Sequence, residues 1–298
     1  MRLILLFAFL LSFSQQTFAW HAPGHQITAI IAYRTLKPDV QEKYIKLLAY
    51  HPYYQKWINE HELFTDVSLN EFLFCKASTW PDVIKKDDYP DKHKEWHYIN
   101  YRVDFENGHL REDQNSGDNV LSAIEKNCTI LRSRKASDES RAIALSWLIH
   151  LIGDISQPMH CAALFTKEQP KGDLGGNKTY FRLDSAFDAQ SVHSLWDGLP
   201  GELTLAAAAE KAGKLLNDSL PSDSLIKSTP EVWSYEGLAL AIKYAYLDGE
   251  VAKLPFIKSE YYAPLLPHPD EYLKNAKRIA GQQLLLGGLR LAAFISKE

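Results

Sequence analysis

The segment that most restricts how this chain can fold is an apolar stretch interrupted by one histidine and one aspartate. Residues 142–152 are apolar at nearly every position, a pattern typical of a helix buried on all sides at the centre of a domain. We predict this helix over residues 138–155, with Pro158 preventing its continuation. His150 and Asp154 share one face of the helix because they lie four residues apart. A buried carboxylate needs a partner, so this pair either forms internal hydrogen bonds or binds a metal.

The remaining sequence is also patterned mainly as helices. The chain has 298 residues, 46% of them apolar, which is enough to bury one large core. Apolar side chains at helical spacing predict further helices over residues 27–36, from Pro38 onward, and over 119–134, 191–196, 202–217, 230–247 and 270–296. Residues 97–103 and 178–183 alternate in polarity and predict the strands of a small β-hairpin. The predicted fold class is therefore all-α, a single mainly helical domain with a small β-hairpin.

The first nineteen residues have the layout of a secretory signal peptide. Arg2 precedes an apolar run over residues 3–11, and the segment ends at the small residue Ala19. The run is shorter than the roughly 20 residues that a membrane span needs, and the alternative is an uncleaved N-terminal anchor. We predict cleavage between Ala19 and Trp20, a mature domain over residues 20–298, and export to the periplasm or the medium.

The spacing of His150 and Asp154 recurs further along the chain, which favours a metal site. His160 lies six residues after Asp154, where a turn can return its ring to the carboxylate, and His193 and Asp197 repeat the spacing of four. Imidazole nitrogens and carboxylate oxygens are ligands that Zn²⁺ accepts. A formal net charge of −4 gives the chain no general attraction for nucleic acid. Any polyanion must therefore be held by local cations, and bound metal is one source.

Two residues in the N-terminal half are ambiguous on their own. Asp82 follows Trp80-Pro81, where the sequence pattern predicts the start of a helix, and an aspartate there serves equally well as a helix-start residue. His97 opens a predicted strand, where a half-buried histidine is commoner than a metal ligand. Neither residue identifies a site without the others.

The three cysteines allow at most one disulfide in an exported chain. Cys161 adjoins the candidate ligand His160, so we predict that Cys75 pairs with Cys128. One disulfide cannot by itself stabilise a chain of this length, so the hydrophobic core must stabilise the fold.

Six motifs occur in order along the chain: Trp20-His21-Ala22-Pro23-Gly24-His25, Ala77-Ser78-Thr79-Trp80-Pro81-Asp82, Trp96-His97-Tyr98-Ile99-Asn100, residues 147–160, Asp173-Leu174-Gly175-Gly176-Asn177 and His193-Ser194-Leu195-Trp196-Asp197. They resemble the motifs of the S1/P1 nucleases, which share their helical fold with bacterial zinc phospholipase C. They extend to about residue 197, and the C-terminal third matches only in its helical character. The resemblance implies a single domain of the phospholipase C/P1 nuclease type.

The resemblance also implies three zinc ions and their ligands. The ligand sets are Asp82, His97, His150 and Asp154 at the first ion; Asp154, His25 and the amino and carbonyl groups of Trp20 at the second; and His160, His193 and Asp197 at the third. Zinc lowers the pKa of bound water from about 15.7 to about 7. Asp82, which has a second oxygen to spare, would orient that water or accept its proton.

Four further residues take expected substrate roles from the same resemblance. Lys85 would lie beside the scissile phosphate, where the family often has an arginine, and Tyr98 would stack on a base. Asn100 stands where an aspartate often contacts the base edge, and Asn177 would hydrogen-bond a ligand or phosphate. The alternative for each is a surface or core residue without a substrate role.

The activity implied is that of a secreted zinc-dependent endonuclease. It would hydrolyse single-stranded RNA and DNA to 5′-phosphate products, with 3′-nucleotidase activity as a further expectation, and would act as a monomer. The main alternative is a zinc phospholipase C using the same ligands on a phospholipid headgroup. Tyr98 and Asn100 favour the nuclease, since a phospholipase needs no aromatic side chain for base stacking. A non-catalytic zinc-binding protein is the third hypothesis.

Overall fold

The computed structural model describes residues 20–63, 66–85, 92–113, 117–184, 189–256 and 263–297, so the predicted signal peptide lies outside the described residues. The helices in chain order are α1 (Ala22–Thr35), α2 (Pro38–Leu48), α3 (Tyr54–His61), α4 (Leu69–Ile84), α5 (Val120–Arg132), α6 (Asp138–Asp154), α7 (Val192–Gly198), α8 (Leu205–Leu216), α9 (Asp223–Ile226), α10 (Pro230–Leu240) and α11 (Pro269–Ile295). Among these helices, none has the length and apolar character to cross a membrane.

Helix α6 is the centre of the fold, as its apolar sequence predicts. It packs against α1, α4, α5 and α11, and every residue from 144 to 154 is buried. The Ser137 hydroxyl accepts the backbone N–H of Ser140 and so caps the start of the helix. Each buried leucine or isoleucine contributes roughly 1.5–3 kcal/mol to stability. This packing fixes a helix that carries His150 and Asp154 in the interior.

The β structure is small, and its pairing differs from the predicted pairing. Strand β1 (Tyr101–Val103) pairs antiparallel with β2 (Leu110–Asp113) and parallel with β3 (Ala162–Leu164), while β4 (Tyr180–Phe181) pairs antiparallel with β5 (Gln190–Ser191). The mainly helical prediction is confirmed. The proposed partnership of residues 97–103 with 178–183 is wrong, because alternation in polarity marks a strand without identifying its partner.

Two local predictions near the ligand candidates also change. Asp82 lies in the last turn of α4, which begins at Leu69 after the capping residue Ser68 and contains Pro81 near its end. His97 ends a 3-10 turn, Lys94–His97, instead of opening a strand. A proline often marks the first turn of a helix. Here the longer apolar pattern that precedes Pro81 overrides that signal.

The predicted Cys75–Cys128 disulfide is wrong. All three cysteines are buried thiols that take no part in a disulfide. Cys75 lies on α4 with its Sγ 3.9 Å from the carbonyl oxygen of Gln26 in α1, whereas Cys128 lies on α5, which packs along α6. A disulfide needs Cα atoms roughly 4.4–6.8 Å apart. The spacing of cysteines in the sequence does not predict whether two helices pack with their thiols this close.

A buried histidine outside the motifs makes folding sensitive to acid. Burial lowers the pKa of His51 to about 3, and its ring stacks on Trp57 with centroids 4.4 Å apart. Its Nδ1 accepts the backbone N–H of Tyr53 at 3.1 Å. The ring is therefore neutral in the fold at any pH above about 3.

Replacing His51 by Phe is expected to flatten the pH dependence of stability. Between pH 6.5 and about 3 the unfolded chain binds a proton at His51 that the folded chain does not, so stability is lost as pH falls through this window. In the variant, the fall in the free energy of unfolding over this window should be smaller by up to about 1.4 kcal/mol per pH unit. Urea unfolding of the metal-free protein at several pH values measures it, with exposed His268→Asn as the control. Parallel curves for His51→Phe and the wild type would contradict the assignment.

Candidate metal centre

Eight histidine and aspartate side chains from distant parts of the sequence converge around the C-terminal half of α6. They form three groups that could each hold a metal ion: first Asp82, His97 and His150; second His25, His150 and Asp154; and third His160, His193 and Asp197. Within a group the candidate ligand atoms lie within 4.8 Å of one another. Helices α1, α4, α6 and α7 and two short turns supply them. The fold thus brings together every side chain that the motifs predicted as a metal ligand.

The first group has the spacing of a coordination shell. His97 Nδ1 lies 2.9 Å from Asp154 Oδ2 and 2.8 Å from His150 Nε2. Asp82 Oδ1 lies 3.7 Å from His150 Nε2 and 4.0 Å from His97 Nδ1. Zinc bonds of roughly 2.0–2.2 Å place neighbouring tetrahedral ligands ~3.4 Å apart. Small shifts of these side chains would therefore complete a four-ligand site.

The hydrogen bond on the far side of His150 shows why this group needs a cation. Its Nδ1 donates to the carbonyl oxygen of Ser78 at 2.7 Å, and a carbonyl can only accept. In the neutral ring Nε2 therefore presents a lone pair, which lies 3.1 Å from the Asp154 carboxylate. Two acceptors that face each other repel unless a positive charge lies between them. A backbone acceptor on the outer nitrogen is the usual arrangement for a histidine that ligates metal.

The second group adjoins the first through Asp154. His25 stacks on His150 with ring centroids 4.0 Å apart, and its Nε2 lies 3.3 Å from Asp154 Oδ1. The ring packs so closely on α6 that a Cβ at Gly153 would approach its Nδ1 to 2.8 Å. Only glycine leaves room for His25 at this position. Asp154 thus faces one group with each carboxylate oxygen.

Trp20 lies beside these two groups and is anchored on both sides. Its indole is fully buried, and Nε1 donates to the carbonyl oxygen of Gly153 at 3.1 Å. The backbone N–H of the next residue, His21, donates to the carbonyl oxygen of Asp197 at 3.2 Å. These bonds hold the backbone of Trp20 between α6 and α7, next to the predicted ligands.

In the third group, as at His150 in the first, the histidine Nδ1 atoms donate to backbone carbonyl oxygens and leave Nε2 free to face the carboxylate. His193 Nδ1 donates to the carbonyl oxygen of Gly175 at 2.7 Å, and His160 Nδ1 donates to that of His97 at 2.6 Å. Their Nε2 atoms lie 3.2 and 3.9 Å from the Asp197 carboxylate oxygens. Gly175 has a φ of 65°, and a Cβ there would lie 2.9 Å from the carbonyl oxygen of Met159. Glycine at this position lets its carbonyl reach His193.

Three of the histidines are in the neutral state that metal binding requires. Burial lowers the pKa of His97 to about 3, and it also lowers the pKa of His25 and of His160. These rings are neutral at neutral pH, and only a neutral imidazole can donate a lone pair to a metal.

The carboxylates remain ionised although they are buried. Burial acts to raise the pKa of Asp154, but without metal the protonated rings of His150 and His160 and the hydrogen bonds from His150 and His25 together outweigh it and hold the pKa well below its usual range. Burial acts in the same way on Asp82, where the Lys85 ammonium and the nearby histidines lower the pKa. Two buried carboxylates that face the lone pairs of histidine nitrogens are stable only with positive charge beside them.

Unpaired buried atoms give a further test of the fit to metal. Six ring or carboxylate atoms of the three groups lack a hydrogen-bond partner within the described ranges: His25 Nδ1 and Nε2, His97 Nε2, Asp154 Oδ1, His160 Nε2 and Asp197 Oδ2. Folded proteins leave few buried polar atoms unsatisfied. Such a concentration, built from nitrogen and oxygen donors, fits divalent metal ions.

The predicted substrate residues differ in their exposure and in their contacts. Lys85 Nζ lies 2.7 Å from Asp82 Oδ1. Tyr98 is half-buried, and Asn100 is buried. Asn177 is half-buried; its Nδ2 donates to the carbonyl oxygen of Leu174 at 2.7 Å, and its Oδ1 lacks a partner. Lys85 therefore adjoins a candidate ligand directly, and Asn177 retains a vacant acceptor.

Two buried residues that position the third group escaped the sequence analysis. Gln157 Nε2 donates to Asp197 Oδ1 at 2.7 Å, and its Oε1 accepts the backbone N–H of Met159. Asp173 accepts the backbone N–H of Gly176 at 2.9 Å and the hydroxyl of Thr179 at 2.8 Å. Both lie within the six motifs and between candidate ligands in the sequence, and this position could have marked them as residues that support the site.

Replacing Gln157 by Leu is expected to weaken metal binding at the third group by about 10- to 100-fold, the usual effect of removing a residue that orients a ligand. The change removes the donor that fixes Asp197 and leaves the backbone N–H of Met159 unpaired. Chelator competition followed by elemental analysis measures the loss. The matched control is Gln283→Leu, another buried glutamine, on α11. Equal metal retention in the two variants would contradict the positioning role.

Buried His/Asp groups held by the helices of one domain are the arrangement expected of a metal-dependent enzyme, and they could hold metal ions here. The sequence model of the family described as S1/P1 Nuclease matches residues 20–298. The chain therefore belongs to the S1/P1 nuclease family, and it is a hydrolytic nuclease.

Three relatives show how far this similarity extends. Endonuclease 5 of Arabidopsis thaliana is 26% identical over 258 residues, covering 75% of this chain and 76% of its own. Nuclease S1 of Aspergillus oryzae is 25% identical over 323 aligned positions, covering 99% of this chain and 96% of its own. Nuclease P1 of Penicillium citrinum is 27% identical over 183 residues, covering 60% and 57%. Nearly the whole chain is thus similar to a nuclease.

Proposed function

We propose that the chain is an exported, zinc-dependent endonuclease that hydrolyses single-stranded RNA and DNA to 5′-phosphate products, with 3′-nucleotidase activity on small substrates. The convergence of three His/Asp groups around the C-terminal half of α6 is the observation that carries this proposal. The names of the relatives, which include endonucleases and nucleases S1 and P1, support the same activity.

The proposed cofactor is three zinc ions per chain. Asp82, His97, His150 and Asp154 would hold the first; Asp154, His25 and the terminal amino and carbonyl groups of Trp20 the second; and His160, His193 and Asp197 the third. When bound, zinc would lower the pKa of a coordinated water to about 7 and neutralise charge on the phosphoryl oxygens. The mixture of imidazole nitrogens and carboxylate oxygens supports zinc over a hard cation such as magnesium.

Asp82 and Lys85 are the proposed catalytic pair of side chains. Lys85 Nζ contacts Asp82 Oδ1 at 2.7 Å, which leaves Asp82 Oδ2 to orient the nucleophilic water or accept its proton. The pKa of Asp82 is held low by Lys85 and the histidines against the effect of burial, so the carboxylate is ionised for this role. The Lys85 ammonium would also attract the scissile phosphate.

Three residues are proposed to bind the nucleotide. Half-buried Tyr98 would stack on an unpaired base, a contact worth roughly 1–3 kcal/mol. Asn100 would meet the base edge, and Asn177, whose buried Oδ1 lacks a hydrogen-bond partner, would hydrogen-bond the ligand. A base must leave its duplex to stack in this way, which favours single strands.

The proposed active form begins at Trp20 and is a monomer. Residues 1–19 have the layout of a signal peptide, and the family match begins at residue 20. Removal of that segment would expose the amino group of Trp20 beside Gly153 and Asp197, where its neighbouring bonds hold it.

Substrate comparison tests the proposal directly. The mature protein should cleave single-stranded RNA and single-stranded DNA much faster than duplex DNA, and end-group analysis should find 5′-phosphates. Phosphatidylcholine in micelles should not be hydrolysed. Hydrolysis of the lipid with intact oligonucleotides would overturn the proposal in favour of a phospholipase C.

A further inference from the structure

A buried tyrosine, Tyr246, lies in an irregular stretch of backbone that follows α10. Residues 241–245 form one turn of π-helix, which the backbone N–H of Tyr246 closes with a bond of 2.8 Å. The next two residues, Leu247 and Asp248, both have a φ of 49°, in the left-handed region. Such turns and such non-glycine residues are uncommon and cluster at functional sites. Both irregularities adjoin Tyr246, which indicates that the position of its side chain is constrained.

The side chain of Tyr246 reaches the glycine-rich loop, residues 173–177, which holds His193. Tyr246 is fully buried, and its hydroxyl donates to the carboxylate of Asp173, 3.0 Å from Oδ2 and 3.2 Å from Oδ1. The two residues are 73 positions apart in the sequence. This bond therefore connects the C-terminal third of the chain, which carries none of the six motifs, to a loop beside the third metal group.

Asp173 organises the glycine-rich loop through several hydrogen bonds. Its Oδ1 accepts the backbone N–H groups of Gly176 and Leu164, each at 2.9 Å, and its Oδ2 accepts the Thr179 hydroxyl at 2.8 Å. Leu164 lies in β3, just after the turn that carries another candidate ligand. Together with Tyr246, the buried carboxylate has four neutral donors. It thus ties the loop to the strand next to the third group.

The glycine-rich loop in turn orients the ring of His193. The carbonyl oxygen of Gly175 accepts the His193 Nδ1 proton at 2.7 Å, which leaves on Nε2 the lone pair that a metal needs. The carbonyl oxygen of Gly176 accepts the backbone N–H of His193 at 3.4 Å. Because Asp173 fixes the position of Gly176, it also fixes the adjoining carbonyl group that aims His193.

We propose that Tyr246 is a positioning residue for the third metal group and acts on His193 through Asp173. The proposal rests on the zinc centre of the proposed function. The tyrosine hydroxyl holds the Asp173 carboxylate in one orientation, and the glycine-rich loop then keeps the carbonyl oxygen of Gly175 directed at His193 Nδ1. Loss of the hydroxyl lets the third zinc ion leave faster and does not affect the other two ions.

Zinc release from the mature, zinc-loaded protein tests the role of Tyr246. Tyr246→Phe keeps the buried ring and removes only the hydroxyl. One zinc ion per chain should then pass to a chromogenic chelator about 10-fold faster than in the wild type, the lower end of the effect of removing a residue that orients a ligand. The other two ions should leave at the wild-type rate. Excess zinc should restore nuclease activity, which it would not do if the substitution had only loosened the fold.

A matched control and a double substitution complete this test. Tyr44→Phe removes another buried tyrosine hydroxyl, which donates to the carbonyl oxygen of Ile295 at 2.7 Å, and should release zinc as the wild type does. If Tyr246 acts through Asp173, Tyr246→Phe should add little to the loss caused by Asp173→Asn, because both change one network. Wild-type release in Tyr246→Phe, equal changes in Tyr44→Phe or fully additive losses would overturn the proposal.

Hydrogen exchange of the zinc-free protein separates this inference from the proposed function. The backbone amides of Gly176 and Leu164, which donate to Asp173, should exchange about 10-fold faster in Tyr246→Phe than in the wild type, the effect of losing one hydrogen bond. In Tyr44→Phe they should not change. A wild-type protein that binds no zinc would refute the proposed metal centre, while equal exchange rates in Tyr246→Phe and the wild type would show that Tyr246 does not hold the loop.

Discussion

Replacing Asp154 by Asn is expected to reduce nuclease activity by at least about 10³-fold, because several kcal/mol of charge stabilisation depend on the metals that this residue would bridge. Its two oxygens face different groups, with Oδ2 2.9 Å from His97 Nδ1 and Oδ1 3.3 Å from His25 Nε2. An amide keeps the shape of the side chain but removes its charge and one acceptor. We expect the variant to lose two of the three proposed zinc ions.

Folding and surface charge must be controlled in that experiment. Asp223→Asn removes one exposed carboxylate, paired with Lys227 at 2.6 Å, and should retain full activity. Circular dichroism of Asp154→Asn should show the helical content of the wild type. A folded Asp154→Asn protein with activity within tenfold of the wild type would refute the bridging role.

A chain that keeps one extra residue before Trp20 should lose at least about 100-fold in activity, and about one zinc ion per chain, because the second group would lack its terminal ligand. Before cleavage the nitrogen of Trp20 is an amide, which cannot serve as a neutral amine ligand. The buried indole and its bond to Gly153 O fix the residue in place, so the backbone cannot move aside to expose another amine. Export and processing would then complete the enzyme.

The control for the terminal extension is a protein released by a protease that leaves Trp20 as the first residue. The two preparations differ by one residue, so a change in folding should be small. Full activity and full zinc content in the extended protein would remove the terminal amine from the ligand set and leave the His/Asp groups standing.

The sequence predicted the centre of this fold because α6 is unusual in its own composition. An apolar helix with polar residues four positions apart must be buried and must have partners for His150 and Asp154, and both inferences follow from local spacing. His25 and Asp82 are different, since they come from helices far away in the sequence. Only the resemblance to a family identified them, and the structure then brought them within 4.8 Å of the others.

Features that depend on which elements meet could not be predicted. The alternating stretch near Tyr101 was correctly identified as β structure, but its partners are β2 and β3, which only the tertiary fold selects. The expected Cys75–Cys128 bridge failed for the same reason. Gln157 and Asp173 act through bonds to Asp197 and to the loop at Gly176, and a glutamine or aspartate in a motif does not reveal the atom that it contacts.

The central claim is that Asp154 lies between metal ions in a three-zinc centre, and elemental analysis of the mature protein tests it most directly. Protein beginning at Trp20, prepared with zinc and freed of excess metal by gel filtration, should contain three zinc ions per chain. Asp154→Asn should then contain one, held by His160, His193 and Asp197. No zinc in the folded wild-type protein after metal-replete preparation, or three in Asp154→Asn, would contradict the account.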